Sequence, residues 1–170
     1  MGEQMDTTSD LDADGRADFD FFLGVWDSKQ RRLKEWLNDC DTWEEFSCVS
    51  VARKLLDGIG HMDEVTLEGP TGHVVGLTVR LFDPQTRLWS IYWADSKRGV
   101  LGAPQIGRFQ SGRGVFYDHE VLAGRAIFSR YIWTPMSDTA CRWEQAFSAD
   151  GGTTWETNWI ADFTRRAEQY

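Results

Sequence analysis

No apolar run in this sequence approaches the length a membrane span needs, no basic stripe stands out, and only three cysteines and three histidines occur in 170 residues. Each shortage excludes something. With 27 acidic against 18 basic residues the net charge is −9, the wrong sign for nonspecific nucleic-acid binding, which runs on phosphate neutralisation, and for adhesion to anionic membranes. The basic pairs Arg31-Arg32 and Arg165-Arg166 are isolated. Cys40, Cys48 and Cys141 are far apart and form no CxxC, so they read as reduced, structural thiols of a cytoplasmic protein. Residues 1–18 lack the basic start and apolar core of a secretory signal. There is no HExxH, no GxSxG and no Cys/His ligand spacing. The stretch Gly107–Gly114 is a glycine-punctuated hairpin without the lysine of a phosphate cradle. Asp10, Asp12, Asp14, Gly15 and Asp18 match the front of a calcium loop, but its twelfth position is Phe21 instead of a bidentate glutamate. No metal and no cofactor are expected.

What is abundant is aromatic: nine Trp, ten Phe and four Tyr. Two readings stand at this point, rings filling a β core or rings lining a ligand cavity. The densest stretch is Arg142–Arg166. It reads as two strands joined by a turn at Ala149–Thr153, where Asp150-Gly151-Gly152 supplies residues that tolerate positive φ. Period two puts Trp143, Gln145 and Phe147 on one face of the first arm, and Trp155, Thr157 and Trp159 on one face of the second.

Residues 1–18 read as a disordered acidic tail and 19–170 as one domain. Phe19–Trp26 is too apolar for a surface loop and is expected to plug something, with residues 19–24 offering helix or turn. Strand one is expected over Val25–Leu37, with Trp26, Ser28, Gln30 and Arg32 on one face, a polar row unusual for a sandwich core and normal for a barrel enclosing ligand and water. Further strands are expected near 43–56, 59–67, 74–83, 87–95, 105–111, 114–121, 124–134, 139–148 and 154–164, separated by Gly-, Pro- and Asp-rich turns. Short connections throughout favour an all-β, closed up-and-down antiparallel barrel of about ten strands, with a β-sandwich as the alternative.

The opening FDFFLGVWD, the middle LFDPQTRLWSIYWAD and the closing RWEQAFSADGGTTWETNWIADFTRR resemble a large bacterial family of lipocalin-like (calycin) barrels. Its members pair an FDFxxGxWD start with a W-E…DGG-x-TW…W…TR closing hairpin. The resemblance implies a barrel closed at one end by a short N-terminal helical plug, Trp26 across the floor, and Arg165 or Arg166 stacked near it. It also implies binding of small apolar molecules, and some proteins of this shape serve as cyclases or isomerases in natural-product pathways. Related ten-stranded barrels hold haem through a histidine near the C-terminus. His61, His73 and His119 all lie elsewhere, and haem is set aside.

If the Trp-rich faces point inward, the same alternation puts Asp95, Tyr117, His119, Ser129, Tyr131, Gln145 and Thr157 inside. His119 is the first choice for general acid/base work, since its pKa lies near neutrality. Tyr117 is a hydrogen-bond donor, and Asp95 a base whose pKa burial would raise. Trp89, Trp93, Trp133, Trp143 and Trp155 would form the walls, with Tyr131, Gln145, Thr157, Gln30 and Arg32 as polar contacts. The expected function is binding of a hydrophobic, aromatic or polycyclic small molecule, as a cofactor-free cyclase or isomerase or as a carrier or sensor. Phe116 and Phe128, assigned to the outer face, would suit a homodimer contact.

Overall fold

The computed structural model describes residues 14–69 and 72–167. Ten strands are present among them: β1 Gly24–Leu33, β2 Trp43–Leu55, β3 Gly60–Gly69, β4 Gly72–Asp83, β5 Leu88–Asp95, β6 Gln105–Gln110, β7 Arg113–Leu122, β8 Arg125–Ser137, β9 Ala140–Ser148 and β10 Glu156–Arg165. Every neighbour pair is antiparallel and β1 pairs with both β2 and β10, so the sheet closes on itself as a lipocalin/calycin-like barrel. Closure gives every strand two partners, which removes the edges an open sheet of this length would expose. A sandwich is excluded by the same pairing.

The expected strand boundaries hold to within a few residues, with β1 stopping early. Chain direction reverses after Leu33, and Leu37 and Asp39 take positive φ in the β1–β2 loop. At the closing hairpin Gly151 and Gly152 have φ of 72° and 88°, the left-handed conformation expected of that turn. Asp150 braces it by accepting from the Thr154 amide at 2.9 Å and the Thr154 hydroxyl at 2.6 Å.

In place of an N-terminal helical plug there is one three-residue 3-10 turn, Asp20–Phe22. Its flanking aromatic rings seal the barrel end where β1 begins. Phe19, Phe22 and Trp26 are buried together with Phe82, Trp89, Phe116, Trp133 and Phe163. Phe22 stacks on Trp26 at 5.3 Å, and Phe19 meets Trp89 and Phe109 edge-on, each at 5.0 Å. Asp10 and Asp12 of the calcium-like run and most of the acidic tail lie outside the described residues. Asp14–Asp18, read as part of that tail, pack against the floor instead: the Gly15 carbonyl accepts from Trp89 Nε1 at 3.0 Å. No helix among the described residues is long and apolar enough to cross a membrane.

One charge is sunk in this aromatic end. Arg80 of β4 is buried, with its guanidinium 5.0 Å from the Phe19 ring, 5.3 Å from Phe22 and 5.2 Å from Trp133. Asp63 of β3 accepts its charge at 2.6 Å. Cation–π contacts and the short ion pair together make burial of a guanidinium tolerable. Beside it the buried His61 lies 3.2 Å from Asp20 Oδ1. Burial, then the Arg80 charge, pushes the His61 pKa down to about 4, although Asp20 pulls the other way and Lys54 adds to the fall.

Two outcomes are expected. Asp63→Ala leaves Arg80 charged and unpaired, and should cost about 3–5 kcal/mol in urea unfolding, whereas the double change Asp63→Leu/Arg80→Met should recover most of it. A double variant no more stable than the single one would remove the ion pair from this account. His61 is harder to protonate folded than unfolded, so its contribution is present above its unfolded pKa of about 6.5 and is lost as pH falls towards about 4. Stability of His61→Gln should therefore fall less steeply than wild type across that window.

Candidate functional site

The opposite end of the barrel is built differently. Alternation inward from Trp26 runs through Ser28, Gln30 and Arg32 on β1, as the sequence predicts, and Ser28 and Gln30 are buried. An aromatic strip crosses four strands on this side. Tyr131 of β8 meets Trp143 of β9 edge-on at 5.0 Å, Trp143 meets Trp159 of β10 at 5.7 Å, and Trp159 meets Phe46 of β2 at 6.0 Å. Arg32 lies 4.9 Å over Trp159 and 5.4 Å over Phe46, and is paired with Glu44 at 2.9 Å. Gln30 orients Trp159 by accepting its Nε1–H at 2.8 Å. Gln145 donates to Asn158 Oδ1 at 2.9 Å, while the fully buried Asn158 Nδ2 has no partner. Over this end lies a recess of about 520 Å³ between the β1–β2 loop and the β7–β8 turn, lined in part by Arg32, Trp36, Glu44, Leu122 and Arg125.

The remaining wall is polar. Register carries the inward row from Trp89, Ile91, Trp93 and Asp95 on β5 to Gln105 and Gly107 on β6, and then to Phe116, Asp118 and Glu120 on β7. Across from them on β8 stand Ile127, Ser129 and Tyr131. Buried Gln105 donates through Nε2 to Ser129 Oγ at 2.6 Å and Glu120 Oε1 at 3.4 Å. Burial raises the Glu120 pKa. The Ser129 hydrogen bond opposes this, the Asp118 charge reinforces it, and Arg98 and Gln105 pull it down. Burial likewise raises the Tyr131 hydroxyl, helped by the charges of Glu120 and Asp118.

Several expected site residues stand elsewhere. Tyr117 and His119 alternate with the inward Phe116, Asp118 and Glu120, so both project from the outer surface and are exposed; His119 packs on Phe128 at 4.4 Å. Phe116, expected outside, is fully buried within, and the dimer contact suggested for it falls. The parity was unreadable because β7 carries aromatic and polar residues on both faces and its inner face is itself polar. Thr157 and Trp155 leave the wall for a second reason. A bulge at Asn158 shifts the register, so Thr157 pairs with the outward Ala146 whereas Trp159 pairs with the inward Gln145. The Trp155 ring lies outside, 4.2 Å from the Arg130 guanidinium and 6.0 Å from Tyr117.

Trp89 and Trp133 face inward but belong to the packed floor: Trp133 stacks on Phe163 at 5.7 Å, and Trp89 is fully buried against Phe19 and Phe82. Asp95 is in the inward row but works as a turn brace, accepting from the Lys97 and Arg98 amides, each at 3.0 Å, and from Arg98 Nε at 3.2 Å. Burial acts to raise its pKa, but the Arg98 amide and guanidinium and the Lys97 amide outweigh it and hold the carboxyl below its ordinary value, opposite to the expected base. Trp93, Tyr131, Trp143, Gln145, Gln30 and Arg32 remain on the inward face, in the half away from the floor. Trp159, Phe46, Asp118 and Glu120 join them.

No cluster of three His, Cys, Asp or Glu able to hold a metal occurs among the described residues. All three cysteines are free, and burial pushes the Cys48 and Cys141 thiols up to about 12, which removes them as thiolate nucleophiles near neutral pH.

No protein-family model and no curated protein matches the chain. Among solved structures it is similar to the S-type phycobiliprotein lyase CPES from Guillardia theta, with a TM-score of 0.58 and 12% identity, covering 93% of this chain and 98% of that one. At that identity the likeness is one of fold.

Trp93 occupies its position because Gly76 is a glycine. A Cβ built on Gly76 would meet Trp93 Cη2 at 2.0 Å, whereas at Gly69 the nearest atom is Phe46 Cβ at 3.8 Å. Gly76→Ala should therefore displace the indole, alter the near-UV circular dichroism and cost about 1–3 kcal/mol. Gly69→Ala is the control. Unchanged spectra in both would mean that Trp93 does not rest on Gly76.

Proposed function

We propose that the half of the barrel away from the floor binds a hydrophobic, aromatic or polycyclic small molecule. The observation that carries this reading is the strip Tyr131–Trp143–Trp159–Phe46, a run of rings facing the polar wall of Gln105, Asp118, Glu120 and Ser129. Floor aromatics interlock with one another, and their contacts are complete within the core cluster. The half away from the floor mixes rings with buried polar side chains, Gln30, Gln105, Ser129, Gln145 and Asn158. Apolar walls with a few convergent polar groups are the usual composition of a small-molecule site. Similarity to the Guillardia theta lyase supports the reading at the level of fold.

A carrier or sensor needs only this surface. A cofactor-free cyclase or isomerase would use the same walls to restrict the substrate's conformation and aim a proton donor at developing charge. His119 lies on the outer surface and is not placed for that role, which falls to the polar groups of the β6–β8 wall.

Titration with neutral polycyclic aromatics should quench tryptophan fluorescence. Trp159→Ala should weaken binding about tenfold, by loss of ring contact, while His119→Ala and Tyr117→Phe should leave it unchanged. A flat response across a broad panel of apolar compounds would overturn the interior site. Equal losses from the outer and inner variants would move binding to the surface of β7.

A further inference from the structure

We propose that the β6–β8 wall is an acceptor pole selecting a cationic ligand, so that the bound molecule presents a protonated nitrogen to Glu120 and Asp118. This rests on the interior-binding reading above and specifies its ligand class.

Six carboxylates lie on inward register positions of the barrel, one of which, Glu156 opposite Phe147, accepts from the Leu37 amide at 2.9 Å. Three have their own cation: Glu44 is held by Arg32 at 2.9 Å, Asp63 by Arg80 at 2.6 Å, and Asp95 by Arg98 at 3.2 Å. Asp118 and Glu120 have no Lys or Arg nitrogen within ion-pair distance among the described residues. They occupy successive inward positions of β7, so their charges reinforce one another; Asp118 is among the groups that raise the Glu120 pKa. Arg98, the guanidinium whose charge reaches Glu120, is already engaged by Asp95 and is mostly exposed.

A second feature points the same way. Gln105 is 3% exposed, and its amide sits between Ser129 and Glu120. Both of its side-chain hydrogen bonds use Nε2, and its Oε1 has no donor. The wall therefore offers two carboxylates and a buried amide oxygen, all acceptors. A protonated amine supplies several N–H donors from one centre and compensates the paired negative charge at once. An anion would be repelled by Asp118 and Glu120, and a neutral apolar ligand would leave the acceptors desolvated and unpaired. Tyr131 and Trp143, adjacent to this wall, add π faces that also favour a cation.

Three probes sharing one ring system test this: 2-naphthylmethylammonium, 2-naphthylmethanol and 2-naphthoate, titrated by tryptophan fluorescence against the full chain. Expected is binding of the ammonium at least about tenfold tighter than the alcohol, with naphthoate weakest, as for a charge-assisted hydrogen bond. Glu120→Gln should remove most of the ammonium-over-alcohol preference, and Asp118→Asn should do the same to a lesser degree. Thermal melts and near-UV spectra of these isosteric variants check that they fold. Equal affinity for ammonium and alcohol overturns the proposal and leaves interior binding intact. So does a cation preference that survives Asp118→Asn/Glu120→Gln, which would trace to the net charge of −9. Failure of all three probes to bind overturns both readings.

Discussion

Arg165 ties the barrel shut. Its guanidinium lies 4.3 Å over Trp26, and its nitrogens donate to the carbonyls of Phe21 and Leu23 and, at 2.9 Å, of Asp138. One side chain on the last strand thus holds the 3-10 turn, the start of β1 and the β8–β9 turn. Trp26 adds a bond of its own, donating to the Phe22 carbonyl at 2.9 Å. The seam between β1 and β10 joins the two ends of the chain's sheet. It needs an anchor that tolerates the entropy of a long closure, and a guanidinium with five donors over an indole face supplies both direction and strength. The floor aromatics pack against this anchor.

With one end sealed, the two halves of the interior divide their tasks. Around the floor, rings interlock and even the buried charge of Arg80 is matched by Asp63 and enclosed by three aromatic faces. Towards the other end the inward rows turn polar: Gln30, Gln105, Asp118, Glu120, Ser129, Gln145 and Asn158. A single strand such as β1 serves both, with Trp26 in the floor and Gln30 and Arg32 in the half away from it. Dense ring packing and inward polarity are therefore segregated along the barrel axis.

Much of this was legible beforehand because alternation and turn chemistry are local properties. The turns at Gly151-Gly152, the polar inner row of β1, and the inward placement of Trp93, Tyr131, Trp143 and Gln145 follow from period two and turn chemistry. Two misplacements show where that logic ends. On β7, Phe116 and Tyr117 are both aromatic and Asp118 and His119 both polar, so hydropathy cannot choose a face; only pairing with Ser129 and Tyr131 does. At β10 one inserted residue, Asn158, reverses the alternation, which put Thr157 and Trp155 on the wrong side.

The chain's amino-acid order by itself determined an all-β architecture, strand number, turn positions and an aromatic interior, since each depends on residues a few positions apart. Tertiary structure decided which of those aromatics are floor and which are wall, and it exchanged His119 and Tyr117 for Glu120 and Asp118 as the interior's polar groups. The reason is physical. A strand's face is set by register with its neighbours, and a carboxylate's character by whether a cation from another strand reaches it. Arg80 reaches Asp63 and Arg32 reaches Glu44, but no such partner stands beside Glu120 among the described residues.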